Sequence, residues 1–295
     1  MLALTVFAWA GSEAQAAMPS AVLPANDANA AMHARYVELQ PRLHKNDFGR
    51  PVHLDSREEG RNLTGDVYAV IDHPFSRVDG SLPSAASWCD ILILPYNTKH
   101  CTSQRDRSLS LYVGKKKDTP LEDAFRIDFN YQVVARERDY LRVVLAAGEG
   151  PLGTKDYRIL LEAVPVDDSH TFLHLSYTYA YGMVSSLAMQ TYLATTGAGK
   201  VGFSIEGTDG DGKPRYVKGM RGVLERNTMR YFLAIDAFLD SLAAPAAAQA
   251  EKRVNDWFSA SERFPRQLHE MDRGEYVAMK QRETQRLQAA KVAGR

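Results

Sequence analysis

The 295-residue chain balances 36 lysines and arginines against 36 aspartates and glutamates, with 45% hydrophobic and 24% charged residues. That profile excludes a disordered or fibrous chain, and the zero net charge gives no overall electrostatic footprint for nucleic acid or anionic lipid. The length suits one generous domain with appendages.

At the start, an apolar run from Leu2 to Ala10 followed by Ala14-Gln15-Ala16 reads as the end of a secretory signal, although the usual basic residues before it are missing. The run is too brief to cross a bilayer, which takes about 20 residues; the competing reading is a short buried helix. A signal peptide over 1–17 places the mature protein in the periplasm. No later apolar run reaches spanning length, so no transmembrane segment is expected.

From Asn26 to Leu43 the pattern is helical, an extension spanning 18–50, and His53 to Asp55 reads as a first strand. Asn62 to Asp72 alternates, with Val67, Ala69 and Ile71 on one face and Asp66, Tyr68 and Val70 on the other. The Asn62-Leu63-Thr64 sequon is read as a coincidence at a strand end. Phe75 to Leu82 and Trp88 to Leu92 are short helical pieces. Cys89 and Cys101 are the only cysteines, most simply a disulfide in an oxidising compartment; a metal site using His100 is the alternative.

Four strands with period-two patterns follow. Phe125, Ile127, Phe129 and Tyr131 make one inner row, then Leu141, Val143 and Leu145, then Tyr157, Ile159 and Leu161, then Leu173, Leu175, Tyr177 and Tyr179. One-sided alternation across successive strands predicts an antiparallel sheet with one buried face. Met183 to Thr195 reads as a helix, and Val201 to Glu206 with Arg215 to Lys218 as a hairpin. The strongest helix runs from Arg221 to Leu242, with an apolar stripe through Leu224, Tyr231, Ile235 and Phe238 and with Arg226, Arg230, Asp236 and Asp240 on other faces. Beyond an Ala-rich break, a charged helical tail over 244–295 is expected to dock along the domain edge through Val254, Trp257, Phe258, Leu268 and Met271.

Motifs of chemistry are scarce. Gly197, Gly199 and Gly202 spell GxGxxG, but a helix precedes and a strand follows, the reverse of a dinucleotide site. Asp209 and Asp211 resemble the opening of a calcium loop, yet Lys213 and the lack of a closing Glu make the segment a turn. No HExxH or GxSxG occurs. His174 beside Ser176 is read as a hydrogen-bonded residue on the outer face of its strand, and nothing marks Asp66, Asp72, Glu149 or Lys155 as catalytic. Tyr177, Tyr179 and Tyr181 point inward with hydroxyls that need partners; they are either aromatic core or the wall of a cavity.

The segment Gly65-Asp-Val-Tyr-Ala-Val-Ile-Asp-His-Pro-Phe-Ser-Arg-Val78, the meander and the closing helix Arg221 to Leu242 together resemble the START-like superfamily, the polyketide cyclase and lipid-transport or Bet v 1-like group. The resemblance implies an α+β helix-grip fold over 51–243, a curved antiparallel sheet wrapped around a long C-terminal helix. It also implies a hydrophobic cavity between the two, holding a lipid, sterol-like or other hydrophobic small molecule. That cavity would be lined by the inner rows, with position 127 (Ile127) a ligand-facing residue, and closed by Tyr231, Ile235 and Phe238. Binding or transport needs no catalytic residue and no cofactor, and none is expected. The alternative is a cyclase or hydrolase working in the same cavity through His174, Tyr177 or Asp128, while the tail from Glu251 offers a surface for a protein partner.

Overall fold

The computed structural model describes residues 24–104, 107–117, 120–183, 186 and 199–293. The expected signal peptide and nearly all of the expected Met183–Thr195 helix lie outside them. Eight strands form one sheet: β1 (Val52–Glu59), β2 (Asn62–Ile71), β3 (Thr98–Gln104), β4 (Ser108–Val113), β5 (Phe125–Glu137), β6 (Tyr140–Glu149), β7 (Thr154–Pro165) and β8 (Thr171–Tyr181). Their order is β1-β2-β8-β7-β6-β5-β4-β3, with every pairing antiparallel. Short loops make the meander from β3 to β8. The last strand then returns to β2, where Gly65 faces Tyr177.

The inner rows fall where the alternation put them, with Ile127, Phe129, Leu141, Val143, Leu145, Ile159, Leu161, Leu173 and Leu175 all buried, except that Phe125, at the very start of β5, is exposed. Two helices bridge β2 to β3, α2 (Phe75–Ser81) and α3 (Ala85–Leu92). Cys89 in α3 and Cys101 in β3 are disulfide-bonded, with Cα atoms 5.3 Å apart, so both sulfurs are consumed and the metal alternative is set aside. Closing a loop of 12 residues stabilises the fold by about 3 kcal/mol on loop-entropy grounds.

The long helix α4 (Gly219–Ser241) lies across the concave face of the sheet. It comes so close to β2 that a Cβ on Gly65 would stand 2.5 Å from Thr228 Oγ1. Only glycine admits that approach. This curved antiparallel sheet closed around one long helix is a helix-grip fold.

Four expectations need correction. Strands β3 and β4 were not anticipated, because Lys99-His100-Cys101-Thr102-Ser103 carries little apolar alternation, though Leu109 and Leu111 alternate with Ser108 and Ser110. The hairpin is shorter than expected: β9 (Ile205–Thr208) pairs β10 (Pro214–Tyr216), and Val201 precedes the pairing. The sheet is also not bare on its outer side. Helix α1 (Ala25–His44) packs Ala28, Met32, Leu39 and Leu43 against Tyr140, Val164 and Phe172, with Tyr68 and Val70 at the edge.

The fourth correction concerns α4. Arg226 and Arg230 are buried, not solvated, because α5 (Ala246–Ser261) and α6 (Pro265–Leu268) cover the helix from behind, while α7 (Arg273–Ala293) packs on α5 and β3. Trp257 Nε1 donates to Arg230 O at 3.0 Å, and the rings of Tyr96, Trp257 and Tyr276 cluster with centroids 5.0 to 5.2 Å apart. Lys280 donates to Pro95 O and Thr98 O at 2.8 and 2.9 Å. Glu283 bridges Lys280 at 2.6 Å and Lys99 at 3.2 Å, all three fully buried.

Candidate functional site: a cavity between sheet and helix

Between α4 and strands β4, β5, β7 and β8 lies a cavity of about 460 Å³, within the range of about 300–1,000 Å³ typical of small-molecule sites. Helix α4 presents Met220, Val223, Asn227 and Tyr231 to it, at steps of three and four residues that keep one face of a helix in line. The sheet presents Leu111, Val113, Ile127, Phe129, Tyr157, Tyr177 and Tyr179. The turn from Pro151 to Thr154 borders one side, and Asn97, Gly114 and Lys115 border another.

Ile127, Tyr177, Tyr179 and Tyr231 are thus brought together. Ile235 and Phe238 are not: both sit in the packed core beyond the end of the cavity. This corrects the expected closure, which falls to the first three turns of α4 and not to its middle. Tyr181 is also outside; its hydroxyl donates to Glu58 Oε1 at 2.6 Å at the sheet's end. Sequence reasoning missed Asn97, Leu111, Val113 and Lys115, which come from or beside the two unanticipated strands, as well as the Pro151–Thr154 turn and Met220, Val223 and Asn227 of α4. The Leu109 and Leu111 alternation was the signal that could have found two of those positions.

The tyrosines form one connected wall. Tyr157 and Tyr179 stack with centroids 5.4 Å apart and planes 13° apart. Tyr177 meets Tyr231 edge to face at 5.1 Å. Tyr157 OH donates to Thr154 Oγ1 at 2.7 Å. Burial pushes the Tyr231 phenol up to about 12 and moves those of Tyr157, Tyr177 and Tyr179 upward as well. At neutral pH this wall is therefore uncharged, apolar in body and able to donate or accept hydrogen bonds.

The Pro151–Thr154 turn has an unusual backbone. Leu152 (φ 58°) and Asp156 (φ 56°) are in the left-handed region that disfavours side chains, with Gly153 (φ 78°) between them. Leu152 is nonetheless exposed at the cavity's border.

His174 and Asp128 both lie on the other face of the sheet. Asp128 is exposed, its Oδ1 accepting from Ser110 Oγ at 2.5 Å and Arg126 Nε at 2.9 Å. His174 is on the outer face as expected but buried there, between Glu162 Oε2 on Nδ1 and Asp66 Oδ1 on Nε2, each at 3.0 Å. Tyr68 stacks on it at 4.3 Å, and Arg35 of α1 lies 4.9 Å above Tyr68. Tyr140 OH donates to Glu162 Oε1 at 2.5 Å, and Arg57 reaches Asp66 at 3.1 Å. Burial pulls the His174 pKa down, but the hydrogen bonds and charges of Asp66 and Glu162 outweigh it and raise it. The same imidazolium holds both carboxylates below their usual range against burial. This is an ion cluster under α1 and has no access to the cavity.

At the cavity's border near Asn227, a second cluster gathers. Glu270, following α6, accepts from Arg230 Nη2 at 2.5 Å and Lys116 Nζ at 2.6 Å, with Lys200 Nζ at 4.0 Å. Lys200 also donates to His269 O. Among the described residues, no group of His, Cys, Asp and Glu is arranged to hold a metal ion, and no helix is long and apolar enough to cross a membrane.

No protein-family model matches the chain, and no curated protein does. Similar solved structures include a START superfamily protein from Mycobacterium smegmatis, at 12% identity over 46% of this chain and 92% of that one, TM-score 0.31. Another is norcoclaurine synthase from Thalictrum flavum in complex with dopamine and hydroxybenzaldehyde, at 16% identity over 48% and 86%, TM-score 0.31. A third is a conserved protein from Geobacillus kaustophilus, at 14% identity over 46% and 86%, TM-score 0.30. The helix-grip assignment stands on the sheet order and the seat of α4.

Proposed function

We propose that the protein binds, and in that form carries, a hydrophobic small molecule in the cavity between the sheet and α4. The observation that supports this is the cavity itself: about 460 Å³ walled by Leu111, Ile127, Phe129, Val223 and four neutral tyrosines. A ligand burying about 400 Å² of apolar surface there gains on the order of 10 kcal/mol before the entropy costs of binding. The tyrosine hydroxyls then orient any polar group it carries. The cyclase or hydrolase alternative retains only the tyrosines in this space, since His174 and Asp128 are on the far face of the sheet.

In the same proposal the protein works in the periplasm, with 1–17 as its export signal, 51–243 as the binding domain, and the helices of 18–50 and 244–295 as outer supports. The Cys89–Cys101 disulfide supports an oxidising compartment. Native mass spectrometry of the protein purified from its own periplasm is the test. A co-purifying hydrophobic molecule that Ile127→Trp displaces is the expected result; no bound molecule, and no thermal shift with any lipid or sterol, overturns the reading.

A further inference from the structure

The polarity of the cavity is uneven. Its body is aliphatic and phenolic, whereas one border is made by Asn97, Lys115 and Asn227. Gly114 N donates to Asn97 O at 2.7 Å, which holds the β4 end and the segment before β3 together and puts Lys115 and Asn97 on the same edge. Arg230 Nη1 donates to Asn227 Oδ1 at 3.4 Å, so the amide N–H₂ is the part of Asn227 left to offer a ligand.

Lys115 is the only charged side chain lining the cavity among the described residues, and no carboxylate lines it. Directly behind this border, Arg230, Lys116 and Lys200 each reach the carboxylate of Glu270. Through Lys115 this border is positive among the described residues, beside an aliphatic and phenolic body that carries no charge. A cationic head would meet the Lys115 ammonium and no carboxylate among the described lining residues, and a neutral head would gain no charge-assisted contact from it.

We propose that the ligand is an amphiphile with an anionic head, a carboxylate or a phosphate monoester, seated against Lys115, Asn97 and Asn227 with its apolar body along Ile127 and the tyrosines. This rests on the reading of the cavity as a ligand site. At about 30 Å³ for each non-hydrogen atom, 460 Å³ holds roughly fifteen of them, the size of a single medium chain such as dodecanoate.

The test is isothermal titration of the full protein, stripped of bound lipid, with dodecanoate, dodecyl phosphate, dodecanol and dodecyltrimethylammonium at low and physiological salt. The anionic probes should bind about tenfold more tightly than dodecanol, as one charge-assisted hydrogen bond provides, and the cationic probe most weakly. The tighter of the two anions identifies the head as carboxylate or phosphate. Lys115→Met should bring both anions down to the affinity of dodecanol, while Lys117→Met, on the same loop but outside the cavity, should keep the preference. Equal binding of dodecanol and dodecanoate, or an equal loss of both in Lys115→Met, overturns the anionic head and leaves the cavity reading in place. If none of the four probes binds, the cavity reading fails and the anionic head fails with it.

Discussion

Tyr177 on β8 and Tyr231 on α4 meet edge to face with ring centroids 5.1 Å apart and planes 84° apart, so the sheet and the helix that grips it touch through two phenols at the wall of the cavity. Tyr231→Phe removes one hydroxyl of that pair from the cavity wall. The expected cost is about 0.5–1.5 kcal/mol of stability, read as a fall in the urea midpoint, with weaker binding of ligands whose polar group reaches the tyrosines. An unchanged midpoint and unchanged affinity would show that the pair contributes nothing.

Trp substitutions separate cavity from core. Ile127→Trp extends into empty volume and should cost little stability while displacing ligand. Phe238→Trp, in the packed interior at 3% exposure, should overfill it at a cost of about 1–3 kcal/mol. Thermal melts of the two variants side by side decide the matter; equal destabilisation would mean that position 127 is packed as tightly as position 238.

The His174 cluster sets a pH window. His174 is raised, so its contribution is fully present below the unfolded value of about 6.5 and is lost as pH rises through the folded value. Asp66 and Glu162 are lowered, so theirs is present above the unfolded carboxylate range and is lost as pH falls through their folded values. Stability should therefore peak between the two limits. His174→Ala removes the cation between two buried carboxylates, leaving Arg57 beside Asp66 and Arg142 beside Glu162, and should cost about 3–5 kcal/mol near neutral pH, with the loss shrinking as the pH is lowered. A loss independent of pH would mean that the imidazole acts only by packing under Tyr68.

Removing the disulfide should lower the melting temperature, since about 3 kcal/mol of loop entropy is at stake. Melts of the oxidised and reduced protein test this together with Cys89→Ser/Cys101→Ser. Coincident melts would show that α3 and β3 hold each other without the bond.

One carboxylate, that of Glu283, pairs with two fully buried lysines. Burial lowers the Lys280 pKa to about 8 despite Glu283 beside it, so Glu283→Gln should lower it further and destabilise the fold by about 3–5 kcal/mol. The denaturant midpoint measures the loss. A shift below about 0.5 kcal/mol, the size of an ordinary surface change, would mean that water reaches the lysines.

Elements whose burial is one-sided were legible in the chain. The inner rows of β5 to β8 and the stripe of α4 followed from period two and period 3.6, because one face of each meets the core. β3 was hidden because its burial comes from α3 and α7 on a polar-looking sequence: Thr98, Lys99 and His100 are buried by neighbours that appear only once the chain is folded. The same cause hid the seat of Arg226 and Arg230. Their partners are nearby carbonyls and a carboxylate forty residues further along, and no local pattern announces such a pair. The phenolic wall could be read from Tyr177 and Tyr179, but the basic border could not, since Lys115 gains its meaning only from the fold of β4 beside Asn97 and α4.

The return of β8 to β2 has a bearing on how the molecule assembles. Gly65 and Tyr177 are register partners although the whole meander separates them, so the β1–β2 hairpin gains its second neighbour only after the last long strand has been synthesised. A chain made from its N-terminus presents an unpaired β2 edge through most of its synthesis, a template for wrong partners. Closing the sheet must wait for this long-range pairing, which places folding in the slow range of about milliseconds to seconds for topologies dominated by distant contacts.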